Sequence, residues 1–347
     1  MSENKYFITG GAGFIGSNFI TFLLKKYRNI KILNFDALTY AGNLQNLTTI
    51  ENDPRYSFYK GDICDSAAIN SVFTEFQPDY IVNFAAESHV DKSIENPDIF
   101  VKSNVLGVQN LLNAALRCGV EKYLQISTDE VYGSLENTGY FTETTNLNPR
   151  SPYSASKAGA DLLTQAYFHT FNIPVNITRC SNNYGPFQFP EKLIPLTILK
   201  CLRGEKIPVY GDGMNIRDWI HVDDHCSAID MVLNKGIPGE VYNIGSNNER
   251  SNIDIVKSII HLINDLRSES AISDALISFV EDRKGHDRRY AIDASKIRRD
   301  LNWSPSVSFE TGLKETISWY LDSPQWIESV VSSEYRSYYQ KVYGKRR

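Results

Sequence analysis

Tyr153 and Lys157 stand four residues apart, the spacing that puts two side chains on one face of a helix. An ammonium beside a phenol favours the phenolate and lowers its pKa, which makes a base for a hydroxyl proton while hydride leaves the same carbon. Upstream, Ser127-Thr128 is followed by two adjacent acids, Asp129 and Glu130. Simple alcohol oxidation has no use for a second acid/base pair. A reaction that oxidises a sugar, removes water and then reduces the product does. Alone, a Tyr/Lys pair is as often a helix surface pair, and most Asp-Glu pairs are solvated turns. Here the acids directly follow an apolar run.

The chain opens on elements that could position such groups. Lys5 to Thr9 reads as a short apolar strand, and Gly10-Gly11-Ala12-Gly13-Phe14-Ile15-Gly16 follows at once. Gly10, Gly13 and Gly16 suit a tight turn, a close approach to pyrophosphate and helix–strand packing. The next segment has helical spacing, so its N-terminus can hold a phosphate. A second apolar run ends at Asp36, twenty residues after Gly16. An acid there bonds ribose hydroxyls and repels a 2′-phosphate, so the cofactor expected is NAD rather than NADP.

The periodicity predicts strands at 5–9, 30–35, 56–60, 80–84 and 122–127, and helices at 15–27, 66–76, 98–118 and 153–171. This alternation predicts a parallel, doubly wound Rossmann-type sheet, with ligands at the carboxyl ends of the strands. The glycine loop, Asp36, Asp62, Ala85-Ala86 and Ser127-Thr128 all fall at such ends. Asp62 also suits a helix N-cap. From about Gly185 the texture changes to loops rich in Pro, Gly and aromatics. We expect an NAD-binding domain over 1–184, to which the chain returns near 218–248. A smaller mixed α/β substrate lobe is expected over 185–330, and a tail over 331–347 that includes a solvated helix.

The 347 residues carry a net charge of −5, which argues against a nucleic-acid surface. No apolar run is long enough to span a bilayer, and the N-terminus runs straight into a strand, so a cytoplasmic protein is expected. The five cysteines are scattered and suit reduced thiols. No Cys/His cluster suggests a metal.

The glycine loop and Tyr-x-x-x-Lys together resemble the extended short-chain dehydrogenase/reductase superfamily. Narrower stretches resemble its NAD-dependent sugar-nucleotide dehydratases, and among them the dTDP-glucose 4,6-dehydratases. These stretches are Phe35 to Asn43, Ala85 to Asp91, Thr128 to Gly133, Asn182 to Pro186, Glu191 to Pro195, Asn215 to Trp219 and Asp282 to Asp287. They cover residues 5 to about 320. Lys284 stands where Pro is usual in the family, and Ser103 where Thr is usual.

The resemblance implies a hydro-lyase acting on dTDP-glucose with a tightly held, recycled NAD, feeding deoxysugar synthesis such as that of dTDP-rhamnose. Tyr153 would take the O4 proton as C4 is oxidised, with Lys157 lowering its pKa and Thr128 bonding O4. Glu130 would then remove the C5 proton while protonated Asp129 gives one to the departing O6 hydroxyl. The cofactor would lie on Gly10, Gly13, Phe14, Ile15, Gly16, Asp36, Ala37, Leu38, Thr39, Asp62, Ile63, Phe84, Ala85, Ala86, Ser88, Ser103, Ser127, Tyr153, Lys157 and Asn183. The sugar nucleotide would meet Ser88, Thr128, Asn182, Lys192, Leu193, Asn252 and His286. Arg217 and Arg283 would take the diphosphate, and Pro208, Val209 and Tyr210 the base. The family also implies a homodimer through helices 98–118 and 153–171. Other readings are a UDP- or CDP-sugar dehydratase, a 4-epimerase, and a non-catalytic NAD-binding scaffold. The acid pair argues against the epimerase, because epimerases of similar build lack it.

Overall fold

Phe7 and Ile8 are neighbours in one strand, and both are fully buried in different cores. A strand that is apolar on both faces belongs in a parallel sheet covered on both sides. The computed structural model, which describes residues 3–267 and 272–331, shows that sheet. Its strands are β1 (Asn4–Thr9), β2 (Ile30–Asp36), β3 (Tyr56–Lys60), β4 (Tyr80–Asn83), β5 (Lys122–Thr128) and β6 (Val175–Cys180). A seventh strand joins from the second half of the chain. Between them run α1 (Phe14–Lys26), α2 (Ser66–Phe76), α3 (Val90–Glu95), α4 (Pro97–Val101), α5 (Val108–Cys118) and α6 (Pro152–Phe171).

The second half supplies β7 (Asn182–Tyr184), α7 (Leu193–Arg203), β8 (Ile207–Tyr210), β9 (Ile216–His221), α8 (Val222–Lys235), β10 (Val241–Ile244) and β11 (Glu249–Ser251). It continues with α9 (Asn252–Leu266), β12 (Ile277–Val280), α10 (Ser295–Leu301), α11 (Phe309–Asp322) and α12 (Pro324–Val330). The main sheet has the order β10-β6-β5-β4-β1-β2-β3, all parallel. The strand order reverses between β1 and β4, the point where such sheets open a crevice. Thr9, Asn83 and Gln125 are register partners there and form a buried hydrogen-bond ladder, 2.5 and 2.9 Å long.

The sequence reading holds for the five early strands and for α1, α2 and α6 to within a residue or so. The predicted helix over 98–118 is continuous but not α-helical throughout. It is α4, then a π-helical segment Lys102–Gly107, then α5. The expected cap of α2 also moves: Asp65, not Asp62, accepts from Ala67 N and Ala68 N. Asp62 instead accepts from Cys64 N.

The remaining strands form a three-stranded sheet, β11-β9-β7, and a parallel pair, β12-β8. With α7, α9, α11 and α12 they enclose a separate apolar core that includes Ile194, Ile198, Ile259, Leu313 and Trp326. α8 and α10 pack instead on the main sheet, where Ile229, Val232 and Ile297 join its core. Among the described residues no helix is long and apolar enough to cross a membrane. The predicted tail helix lies outside the described residues.

Candidate active site

The glycine loop shows three different needs. Gly10 has φ +67°, and a Cβ there would stand 2.5 Å from Ala85 N. Gly16 packs so tightly that a Cβ would reach 2.4 Å from Gly10 O. Gly13 lines the cleft, and a Cβ there would meet only Gly10 O, at 3.3 Å, so it is cleft space that a side chain would fill. Asp36, at the end of β2, accepts from Ala12 N at 2.9 Å and Leu38 N at 2.7 Å. It thus braces the loop that opens α1. A glycine cradle at a helix N-terminus, with a buried acid across from it, fits a dinucleotide pyrophosphate and ribose.

One cleft of about 710 Å³ runs along the carboxyl ends of the main strands and under the smaller lobe. From the predicted cofactor set it collects Gly10, Gly13, Phe14, Ile15, Gly16, Asp36, Ala37, Thr39, Asp62, Ile63, Phe84, Ala85, Ala86, Ser88, Ser103, Ser127 and Asn183. From the predicted catalytic and substrate sets it collects Thr128, Glu130, Tyr153, Lys157, Asn182, Lys192, Leu193, Pro208, Val209, Tyr210, Arg217, Asn252, Arg283 and His286. Two predicted residues stay off its wall. Leu38 contributes its N–H to Asp36 instead, and Asp129 lies one layer beneath Thr128.

The elements explain these placements. β5 ends at Thr128, whose Oγ1 accepts from Glu130 N at 3.2 Å and so caps a 3₁₀ turn over Asp129–Tyr132. That turn holds Asp129 inside and Glu130 half-buried on the cleft. A capping box between Ser151 and Ser154, with Pro152 at the first position, starts α6 immediately before Tyr153. Lys157 follows one turn on, fully packed, its Nζ donating to Ile126 O at 2.7 Å. β7 carries Asn182 and Asn183, Lys192 is the residue before α7, and Asn252 opens α9.

Burial pushes the Asp129 carboxyl well above the ordinary carboxylate range, and the neighbouring Glu130 adds to this. One of its oxygens accepts from Thr128 Oγ1 at 3.3 Å, and the other is buried with no hydrogen-bond partner among the described residues. Glu130 is also raised by burial, but Lys192, Arg217 and Arg283 pull it back down. The pair is therefore split, with Asp129 the better proton holder.

Tyr153 sits in a setting that opposes the phenolate. Burial, then Glu130, push its phenol well above 10, while a hydrogen bond with Thr128 pulls the other way. Lys157 spends its ammonium on a main-chain carbonyl and is itself lowered by burial. In this geometry the pair is close enough to share a face but is not tuned as sequence spacing alone suggests.

Both predicted phosphate-binding arginines already have partners. Arg283 forks onto Asp91, at 3.0 and 2.9 Å. Arg217 donates to Ile216 O and Asp287 O and stacks over Tyr290. His286 sits 2.6 Å from Asp282 Oδ1, and burial with nearby arginines lowers it to about 4, so the ring is neutral at physiological pH.

Sequence reasoning passed over Glu191. It lines the cleft almost wholly buried, takes the Tyr40 hydroxyl at 3.1 Å on Oε1, and leaves Oε2 without a hydrogen bond among the described residues. Its neighbours Lys192 and Leu193 were singled out, but an acid beside a lysine in a Pro-rich loop reads as solvated. Only the folded loop shows it inside. Asn104, in the π segment, was passed over too. It binds both N–H and C=O of Glu87 and reaches Ser156 on α6, so it ties the 84–88 loop to the Tyr153 helix.

Known proteins share this fold over most of the chain. The family model described as GDP-mannose 4,6 dehydratase matches residues 7–316. The chain is 51% identical over 342 residues to the dTDP-glucose 4,6-dehydratase of Xanthomonas campestris pv. campestris (strain B100), covering 95% of this chain and 97% of that protein. It resembles the solved dTDP-glucose 4,6-dehydratase of Bacillus anthracis in complex with NAD, with TM-score 0.87, 50% identity and coverage of 94% and 99%. It also resembles the enzyme of that name from Streptomyces venezuelae, solved with NAD bound, with TM-score 0.89, 44% identity and coverage of 94% and 99%. The chain belongs to the dTDP-glucose 4,6-dehydratase family.

Proposed function

We propose that this protein converts dTDP-glucose to dTDP-4-keto-6-deoxyglucose and water, with NAD as its resident cofactor. The observation that carries this reading is the 3₁₀ turn after β5. It presents Glu130 to the cleft, in the same wall as Tyr153, and keeps Asp129 buried one layer beneath. Family relatives bearing the name, solved with NAD, support the reading.

NAD, when bound, supplies a hydride acceptor for C4 and later a donor for C6. The rest is work for the chain. Tyr153 accepts the O4 proton. It does so as the phenolate: burial holds its phenol high, so it must give up its own proton before it can take the substrate's. Thr128, which bonds Tyr153, orients O4. The resulting ketone acidifies the C5 proton, and Glu130, the more easily ionised acid, removes it. Asp129, which keeps its proton, gives it to the departing O6 hydroxyl, which leaves as water. Glu130 then returns its proton to C5. Glu130 is then back in its starting state, and the cycle closes when the proton that Tyr153 took from O4 replaces the one that Asp129 gave to the departing water.

Arg217 and Arg283 flank the diphosphate, sharing their guanidinium groups with their present partners. Pro208, Val209 and Tyr210 form an apolar wall for thymine. The product suits deoxysugar synthesis in the cytoplasm. The working unit is a homodimer formed by α4, the π segment, α5 and α6, where Val101, Leu106 and Leu162 stand 54%, 46% and 57% exposed. Incubation with dTDP-glucose followed by mass analysis tests the reading. It requires a product lighter by one water, and a product of unchanged mass would support a 4-epimerase instead.

A further inference from the structure

Tyr132 closes the same 3₁₀ turn that carries Asp129 and Glu130, yet it points away from the cleft. It is 2% exposed and stacks on Phe141, with ring centroids 5.1 Å apart. Its hydroxyl donates to Asn243 Oδ1 at 2.8 Å and accepts from Arg179 Nη1 at 3.0 Å. Arg179, on β6, donates through Nε to Asp161 Oδ2 at 2.8 Å. Asp161 is fully buried on α6, one turn beyond Lys157. Asn243 lies on β10, the last strand of the sheet, and is pinned by Glu143 and by the Phe141 carbonyl.

A buried ion pair adds little net stability over a well-packed apolar pair. Its retention beneath a catalytic turn calls for another reason. Here the chain Asp161–Arg179–Tyr132–Asn243 spans the helix of Tyr153 and Lys157, the strand between, the acid-bearing turn and the sheet edge. Each hydrogen bond has a fixed direction. The turn is thereby held at one distance from α6.

We propose that Tyr132, Arg179 and Asp161 are positioning residues for water elimination, fixing the Asp129–Glu130 turn relative to the Tyr153 helix. This rests on the dehydratase reading above. C4 oxidation uses Tyr153, which sits on α6 itself. Elimination uses the turn. Loosening the tether therefore slows elimination and spares oxidation, whereas a general loss of structure lowers both together.

The test is a single turnover of dTDP-glucose by the NAD-loaded parent and by Tyr132→Phe, which keeps the ring and its stack. Reduced-nicotinamide absorbance reports oxidation, and mass analysis of quenched samples reports water loss. In Tyr132→Phe, oxidation should stay near the parental rate. Water loss should slow by about tenfold to ~10²-fold, the scale of a small misplacement of reacting groups. Reduced cofactor should accumulate transiently. Asn243→Ala, which removes the far anchor, should partition the two steps the same way. Equal slowing of both steps, or of neither, would overturn the proposal. So would recovery of both variants only as aggregates, which would assign the network to stability alone. A parent protein that removes no water from dTDP-glucose would instead sink the dehydratase reading itself.

Discussion

Tyr153 with Lys157, and Asp129 with Glu130, stand out in sequence because each pair lies within about one turn of chain. Their tuning is not legible, because it comes from burial and from groups distant in sequence. The structure raises Tyr153 where its spacing from Lys157 suggests lowering. Tyr153→Phe removes the only hydroxyl at that position and should cut turnover by about 10²–10⁴-fold, with NAD content unchanged. A rate near the parent's would remove Tyr153 from the mechanism. Glu130→Gln should permit C4 oxidation but stall proton removal from C5, so reduced cofactor should build up after substrate is added. Undiminished keto-deoxy product would assign the C5 base elsewhere.

In the proposed roles the two acids also set a pH profile. Glu130 must be ionised, and its carboxyl is raised from 4.5, so activity should fall on the acid side at a pH above that value. Asp129 must be protonated, so activity should fall again as pH rises through its elevated pKa. Asp129→Asn should be slow and lack the alkaline limb. Its stability follows from linkage. Folded Asp129 keeps a proton that the unfolded chain releases near 3.8, so the folded state binds more protons and loses stability as pH rises above that. Asparagine carries no such cost. Thermal unfolding should therefore show Asp129→Asn gaining on the parent with rising pH, and a constant difference would contradict the assignment. Glu191 and Asn104 were hidden for the complementary reason: nothing in their local sequence distinguishes a solvated acid or a surface amide from one folded inward.

At the scale of elements, long amphipathic or strongly apolar segments were easily read, and changes of helical register within them were not. The π-helical stretch Lys102–Gly107 has no proline or glycine pair to announce it. It is imposed by packing against α6 and by the bonds that Asn104 makes to Glu87 and Ser156. The α2 cap shows the same limit. Asp62 and Asp65 both precede the helix by a few residues, and either suits a cap. The structure gives the cap to Asp65. Asp65→Ala should cost about 1 kcal/mol in urea unfolding and leave turnover intact. Asp62→Ala should cost less than about 0.5 kcal/mol but weaken NAD binding, since Asp62 lines the cleft. The reverse pattern would return the cap to Asp62.

For the whole molecule, strand–helix alternation sufficed to predict the large parallel sheet, because each βαβ unit has one favoured hand. Even the return of Val241–Ile244 to that sheet was readable from its apolar run. The pairing of the three- to six-residue strands in the smaller lobe was not readable, since such short segments carry too little pattern to fix a partner. Those strands position Arg217, Tyr210 and Asn182, so the substrate side of the cleft is where sequence said least about geometry. The assembly is testable at this scale. Leu162→Glu places a charge on the proposed dimer face and should shift sedimentation from dimer to monomer. A parent that sediments as monomer at micromolar concentration would refute the dimer.

The central claim is tested most directly by incubating the purified protein with dTDP-glucose, first without and then with added NAD, and weighing the product. The account predicts loss of one water, appearance of a 4-keto sugar and no net reduction of NAD. Unchanged substrate mass under both conditions would contradict it.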